Sequence, residues 1–286
     1  GPSLRHYEKF NPTIVLPKAC TRRMVTDLKK YFKFRNIIEI GHGQSLNLQS
    51  DFKITSYQFN PMFVDSCLAI EAGKHSILDM NDCKVFGLSL SQIINNHPRF
   101  DFVLRNHSSA SPIPQCIKGA KLAETNRKAI DYAEDFLESC TSTQARYAIP
   151  FASSAIMLRE DTKKYNSNYV NPAYIKSIYD KCNSTSQLCV IMPAGSSWSQ
   201  DNGFNLNVNN YSKIEEHIEL AIIKHSNALE DQKRKEQSAM LEKEAFKSYF
   251  ESFLLSTSWP MRVDFRFAYE VNEMPTNLKY LCIVDG

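Results

Sequence analysis

The chain has 286 residues, of which 43% are hydrophobic and 23% charged, an ordinary globular composition with enough apolar material for a sizeable core. Its net charge of +3, with both signs interspersed, is too small to indicate a nucleic acid or an anionic membrane as partner. No apolar run is long enough for a membrane span, and the eight cysteines are scattered without a C-x-x-C pair. We therefore expect a cytoplasmic protein with reduced thiols.

The first third of the chain is predicted to fold as a strand, a helix and a run of hairpin-linked strands, because its apolar residues change from helical to alternating spacing. The predicted helices are 3–11 and 22–34, and the predicted strands are 13–16, 36–40, 46–48, 52–59, 66–71 and 75–80. Gly73 fits the turn of the last hairpin, since glycine adopts positive φ at little cost. The hairpin ends at Asn81-Asp82, which puts a carboxylate where α/β folds place metal ligands and catalytic groups. The alternative is that Asp82 caps the next helical turn.

From residue 86 onward, helices alternate with strands that end in polar residues. The predicted helices are 86–97, 117–140 and 171–181, and the predicted strands are 100–104, 147–151 and 188–192. A Gly/Ser-rich loop covers 193–204, and a mostly helical stretch at 211–255 precedes a hairpin at 262–271 and 278–284. This order predicts an α/β sandwich of two helix-covered sheets at 3–210, followed by C-terminal helices and a β-hairpin at 211–286.

Polar loops at strand ends carry the candidate chemistry, and they form one pocket if they share an edge of the sandwich. Asp82 and His107 are the metal-ligand candidates, because carboxylate and imidazole suit zinc, iron or manganese, but such a site needs three or four protein ligands. His75 and Asp79 alternate on one strand, which suggests a hydrogen-bonded pair. The predicted ligand-binding residues are Arg105, Asn106, His107, Ser108, Ser109, Ser153 and Ser154.

Other motifs give weaker indications. Serines in loops are more often turn formers than ligand contacts. The loop at 193–204 offers backbone N–H groups and the Trp198 indole to a ligand. No P-loop, G-x-G-x-x-G, G-x-S-x-G or H-E-x-x-H motif is present, so no catalytic residue can be assigned.

The order of the segments resembles the metallo-β-lactamase fold, and is most similar to the branch that includes the UlaG-like lactonases and the lactamase-like part of CMP-N-acetylneuraminate hydroxylase. Four segments within about residues 11–204 carry the resemblance: VDSCLAIEAGKHSILDMNDC, FDFVLRNHSSASPIP, ARYAIPFASS and VIMPAGSSW. The resemblance implies an αββα sandwich with a one- or two-metal site at one edge, and it maps the family's bridging aspartate onto Asp82.

Departures from the family pattern put that metal site in doubt. The HxHxDH loop has no counterpart, and the resemblance places it before Ser3, so we expect a fold that is incomplete at its N-terminus. Histidines expected near 60–63 and 153–155 are absent, and Gly195-Ser196 stands where relatives often have Gly-Asp.

We therefore expect a metallo-β-lactamase-like domain with a degenerate metal site that binds a protein partner or a small-molecule ligand. The alternative is a metal-dependent hydrolase or oxygenase-related enzyme whose remaining ligands come from an upstream segment or another chain. A metal-free serine or cysteine enzyme is the least favoured hypothesis, because no nucleophile–base pair can be named.

Overall fold

The computed structural model describes residues 2–19, 22–58, 65–83, 85–108, 128–153, 156–168, 170–208, 211–238, 243–256, 267–273 and 278–284. The chain divides into two compact units, one of residues 40–224 and one that combines residues 1–39 with 225–286. The α/β class is confirmed by the helices and the central seven-stranded sheet. The predicted domains, 3–210 and 211–286, stay a prediction.

The larger unit is built on the seven-stranded sheet, in which the strands lie in sequence order. Its strands are β3 (Ser45–Gln49), β4 (Phe52–Gln58), β5 (Ser66–Ala72), β6 (His75–Asn81), β7 (Phe102–Asn106), β8 (Tyr147–Phe151) and β9 (Leu188–Cys189). The pairs from β3 to β6 are antiparallel and those from β6 to β9 are parallel. Gly73 has φ +59° in the turn between β5 and β6, as its position in the sequence predicts.

Three helices connect the parallel strands and pack on one face of the sheet. They are α3 (Gly87–Asn96), α4 (Ala129–Ser142) and α5 (Pro172–Cys182). Leu78 and Val103, both fully buried in the sheet, form one hydrophobic core with Ile93, Phe136 and Ile175 from these helices. The period of two along the strands explains this face, because every second side chain of β6 and β7 points toward the helices.

The opposite face of the sheet is covered by an aromatic cluster. Phe102 and Tyr147 stack at 5.2 Å between ring centroids, and Trp198 meets Phe102 edge-on at 4.9 Å. Trp198 belongs to a small antiparallel hairpin, β10 (Ser197–Ser199) and β11 (Gly203–Asn205), inside the stretch predicted as a loop. The Trp198 indole therefore packs on this face of the sheet, and its role as a ligand contact stays a prediction.

The smaller unit contains short elements from both ends of the chain. These are α1 (Pro2–Glu8), β1 (Ile14–Pro17), α2 (Arg23–Tyr31), β2 (Ile37–Ile40), α7 (Lys243–Ser256), β12 (Phe267–Glu273) and β13 (Leu278–Val284). Val25, Leu28 and Phe34 are buried, and β12 pairs antiparallel with β13. Helix α6 (Ile214–Ser238) completes the set of α-helices described. None of the described helices combines the length and the apolar character that crossing a bilayer requires.

Several element bounds differ from the predicted ones. The strand expected at 100–104 begins and ends two residues later, at Phe102–Asn106. Asp101 lies at the entry to the sheet, where the Asp101 carboxylate accepts the Ser76 N–H and the Asp101 carbonyl accepts the Tyr147 N–H. Of the helix expected at 117–140, residues 117–127 lie outside the described residues, and the described part begins at Ala129. The strand expected at 188–192 is assigned only at Leu188–Cys189.

Candidate functional site

The carboxyl ends of β7, β8 and β9 meet at one edge of the sheet, where open α/β sheets bind ligands. His107 follows β7 directly, Ala152 and Ser153 follow β8, and Met192 lies just beyond β9. Together with the start of α6 these segments line a cavity of about 320 Å³. The site is therefore built from loops that the parallel strands hold in register.

Hydrogen bonds fasten the ends of β7 and β8 to each other. The His107 backbone N–H donates to Ser153 Oγ at 2.6 Å, and the Ser108 hydroxyl donates to the Ser153 carbonyl at 2.9 Å. Asn106 Nδ2 donates to the Ala152 carbonyl at 2.9 Å, while Asn106 Oδ1 accepts the Ser108 N–H at 3.0 Å. These contacts hold the His107 backbone at the cavity wall and rigidify the loop that follows β8.

His107 is the most unusual side chain at this edge. It is 3% exposed, and neither ring nitrogen has a hydrogen-bond partner of normal geometry among the described residues. Burial lowers the pKa of His107 to about 4, and the neighbouring Val170 backbone offsets only part of that effect. The imidazole is thus neutral at pH 7 and has one N–H donor and one acceptor nitrogen.

The rest of the cavity wall is mixed. Phe151, Met192 and Ile214 contribute apolar surface, and Ser153 and His217 contribute polar atoms. Ala152 has φ +51°, a conformation that residues with a Cβ rarely adopt. Strain of this kind persists where the surrounding structure fixes it, here through the bonds from Asn106 and Ser108 to the loop.

Arg105 and Asn106 were expected in the loop after β7, and that expectation is wrong, since both belong to the strand. The Arg105 side chain is buried on the helical face, where it donates to the Asp135 carbonyl at 2.6 Å. It lines a second cavity of about 600 Å³ between α3 and α4, not the cavity of His107. Asn106 and Ser108 are buried in the hydrogen bonds described above, while Ser109 and Ser154 lie outside the described residues.

Asp82 follows β6 and is exposed. Its charge lies close enough to Asp65 to raise the pKa of that carboxyl, in addition to the larger effect of burial. The described residues contain no group of three or more His, Cys, Asp or Glu side chains arranged to hold a metal ion, so Asp82 and His107 alone do not fit the metal site that the family resemblance implies.

Covalent catalysis by serine or cysteine finds no support among the described residues. The Ser153 hydroxyl donates to the Phe151 carbonyl at 3.1 Å, so its proton is already engaged. Burial raises the pKa of the Cys140 and Cys189 thiols, that of Cys189 to about 12, and a protonated buried thiol is a poor nucleophile.

Two histidines have neighbours that sequence spacing did not indicate. His75 pairs through Nδ1 with Asp101 at 3.4 Å rather than with Asp79, whose carboxylate accepts the Asn81 N–H at 3.0 Å. His217 is exposed and also lines the cavity of His107. No sequence signal could have joined His107 to His217, because only the fold brings the start of α6 to this edge.

Comparison with known proteins finds similar chains among solved structures alone. No protein-family model matches the chain, and no curated protein matches it. Among solved structures, the chain is similar to the metallo-beta-lactamase fold protein YhfI from Bacillus subtilis, with 12% sequence identity over 68% of this chain and 69% of that chain, at a TM-score of 0.39.

Proposed function

We propose that the chain is a ligand-binding module in which the cavity at the carboxyl edge of β7, β8 and β9 holds a small molecule. The proposal depends on His107, a buried neutral imidazole that lines that cavity and whose ring nitrogens have no hydrogen-bond partner of normal geometry among the described residues. A buried polar group without hydrogen bonds costs free energy, and a bound ligand would supply the missing bonds.

The proposal includes a metallo-β-lactamase-like domain of the UlaG-like branch with a degenerate metal site, acting in the cytoplasm. The order of the sequence segments supports the branch, and the two candidate ligands Asp82 and His107, fewer than a metal needs, support the degeneration. The free thiols described at Cys67, Cys83, Cys140, Cys182 and Cys189 support a reducing compartment.

The test is a screen of small aromatic fragments against the full chain with ¹³C-methyl-labelled methionine. Ligands in the cavity should shift the Met192 methyl resonance and leave that of Met80 unchanged, because Met80 is fully buried in the core on the helical face. The His107→Leu variant should bind polar fragments more weakly. If no fragment moves the Met192 resonance, the proposal fails.

A metal-dependent hydrolase or oxygenase-related enzyme is the second candidate, with zinc, iron or manganese as the cofactor. It is favoured by the carboxylate pair Asp65 and Asp82, because two neighbouring negative charges attract a cation. Its further ligands would have to come from outside the described residues. Elemental analysis of the purified protein decides between the candidates. One equivalent of metal that disappears in Asp82→Asn would establish the second candidate and contradict the first.

A further inference from the structure

The lining of the His107 cavity indicates what charge its ligand carries. Resting on the proposed function, we infer that the ligand is an uncharged amphiphilic molecule with a small apolar body and a hydroxyl or amide head.

No Lys, Arg, Asp or Glu stands among the lining residues that the structure describes. The polar side chains there are those of His107, Ser153, Tyr211 and His217, none of which carries a permanent charge, and the burial of His107 disfavours a charged imidazole. A ligand ammonium or carboxylate would lose its hydration on entry without meeting an opposite charge, which is strongly unfavourable.

Helix N-termini near the cavity do not replace a missing positive charge. At the start of α5, Asn171 Oδ1 already accepts the Ala173 N–H at 2.8 Å. The first turn of α6 carries Glu215 and Glu216, whose negative charges oppose an anion at that end. Neither helix therefore favours a carboxylate over an uncharged group.

The remaining wall favours an apolar body of limited size. Phe151, Met192 and Ile214 offer aromatic and aliphatic surface, and the volume of about 320 Å³ is at the lower end of small-molecule pockets. A hydroxyl can donate to the acceptor nitrogen of His107 or accept from its N–H, and an amide can do the same. A single-ring alcohol matches both the wall and the imidazole.

Three probes with one carbon skeleton test the inference: benzyl alcohol, benzoate and benzylamine, titrated at pH 7 into the full chain with the Met192 methyl resonance as readout. We expect benzyl alcohol to bind at least about tenfold more tightly than either charged probe, because only the charged heads lose hydration without compensation. Tighter binding of benzoate or benzylamine would overturn the inference and leave the ligand-binding function intact. Failure of all three probes to shift Met192 would overturn both.

The His107→Leu variant separates the head of the ligand from its body. It should lower benzyl alcohol affinity about tenfold through the lost hydrogen bond, while toluene, which has no polar head, should bind the variant at least as well as the unchanged chain. Ser142→Ala, in the second cavity, is the matched control and should change neither affinity. Equal loss of toluene and benzyl alcohol binding would show that His107 only shapes the cavity, which contradicts the inference.

Discussion

Replacing His107 by leucine should remove the contribution of this histidine to the pH dependence of the free energy of unfolding. The pKa of His107 is lowered to about 4 from 6.5, so between these values the unfolded chain binds more protons than the folded chain. The stability that depends on this residue is therefore fully present above about pH 6.5 and is lost as the pH falls toward 4. Linkage gives a loss of about 2 kcal/mol between pH 7 and pH 5 for a group with these two pKa values.

At pH 7 the variant should be as stable as the unchanged chain or more stable by about 1 kcal/mol, because leucine fills a similar volume without burying ring nitrogens that lack a well-formed hydrogen bond to the described residues. Urea denaturation at pH 7, 6 and 5 measures the free energy of unfolding of both chains. The lowered pKa of His97 affects both chains equally and cancels in the comparison. The expected result is a difference in stability that grows in favour of the variant as the pH falls.

Met192→Leu is the control, since it alters the same cavity without removing a titratable group. Its difference from the unchanged chain should stay constant with pH. If the His107→Leu difference is also constant between pH 7 and pH 5, the imidazole is not held neutral by burial and the reasoning fails.

Three further substitutions test the packing and the site. Tyr57→Phe should lower the free energy of unfolding by about 1–3 kcal/mol, because the buried hydroxyl hydrogen-bonds His97 Nε2 at 2.9 Å and accepts from Asn96 Nδ2 at 3.2 Å. Unchanged stability in urea would contradict that network. Leu78→Ala should cost about 2–5 kcal/mol, since Leu78 is 0% exposed in the core, and a urea midpoint like that of the unchanged chain would be the contrary result. Ser153→Ala should lower the free energy of unfolding by about 1 kcal/mol and weaken benzyl alcohol binding, because the loop after β8 loses the hydrogen bond from the His107 N–H. An unaltered benzyl alcohol affinity would refute the role of Ser153 in positioning His107.

The sheet could be predicted from the sequence because strand periodicity is local. Alternating residues on β5 and β6, with Gly73 between them, specify a hairpin through side-chain period and turn geometry alone. The continuation of β7 through Arg105 and Asn106 could not be predicted from the local sequence. These residues stay in the ladder because they pair with Pro150 and Phe151 of β8, and a polar strand end looks like a loop when its partner is unknown.

The candidate site was predictable only in part, for a similar reason. His107 could be placed at a strand end, since the apolar run before it stops there. Its burial involves the tertiary neighbour Val170 and its cavity is completed by Ile214, and no spacing rule connects either residue to His107. Arg105 could not be separated from His107 by sequence, although the fold sends the two side chains to different cavities.

The most direct test of the central claim is the ¹⁵N spectrum of the His107 ring at pH 7, recorded with benzyl alcohol and separately with one equivalent of zinc. We expect the signature of a neutral imidazole whose nitrogen shifts move with benzyl alcohol and do not respond to zinc. A protonated ring at pH 7, or ring nitrogens that respond to zinc and ignore benzyl alcohol, would contradict it.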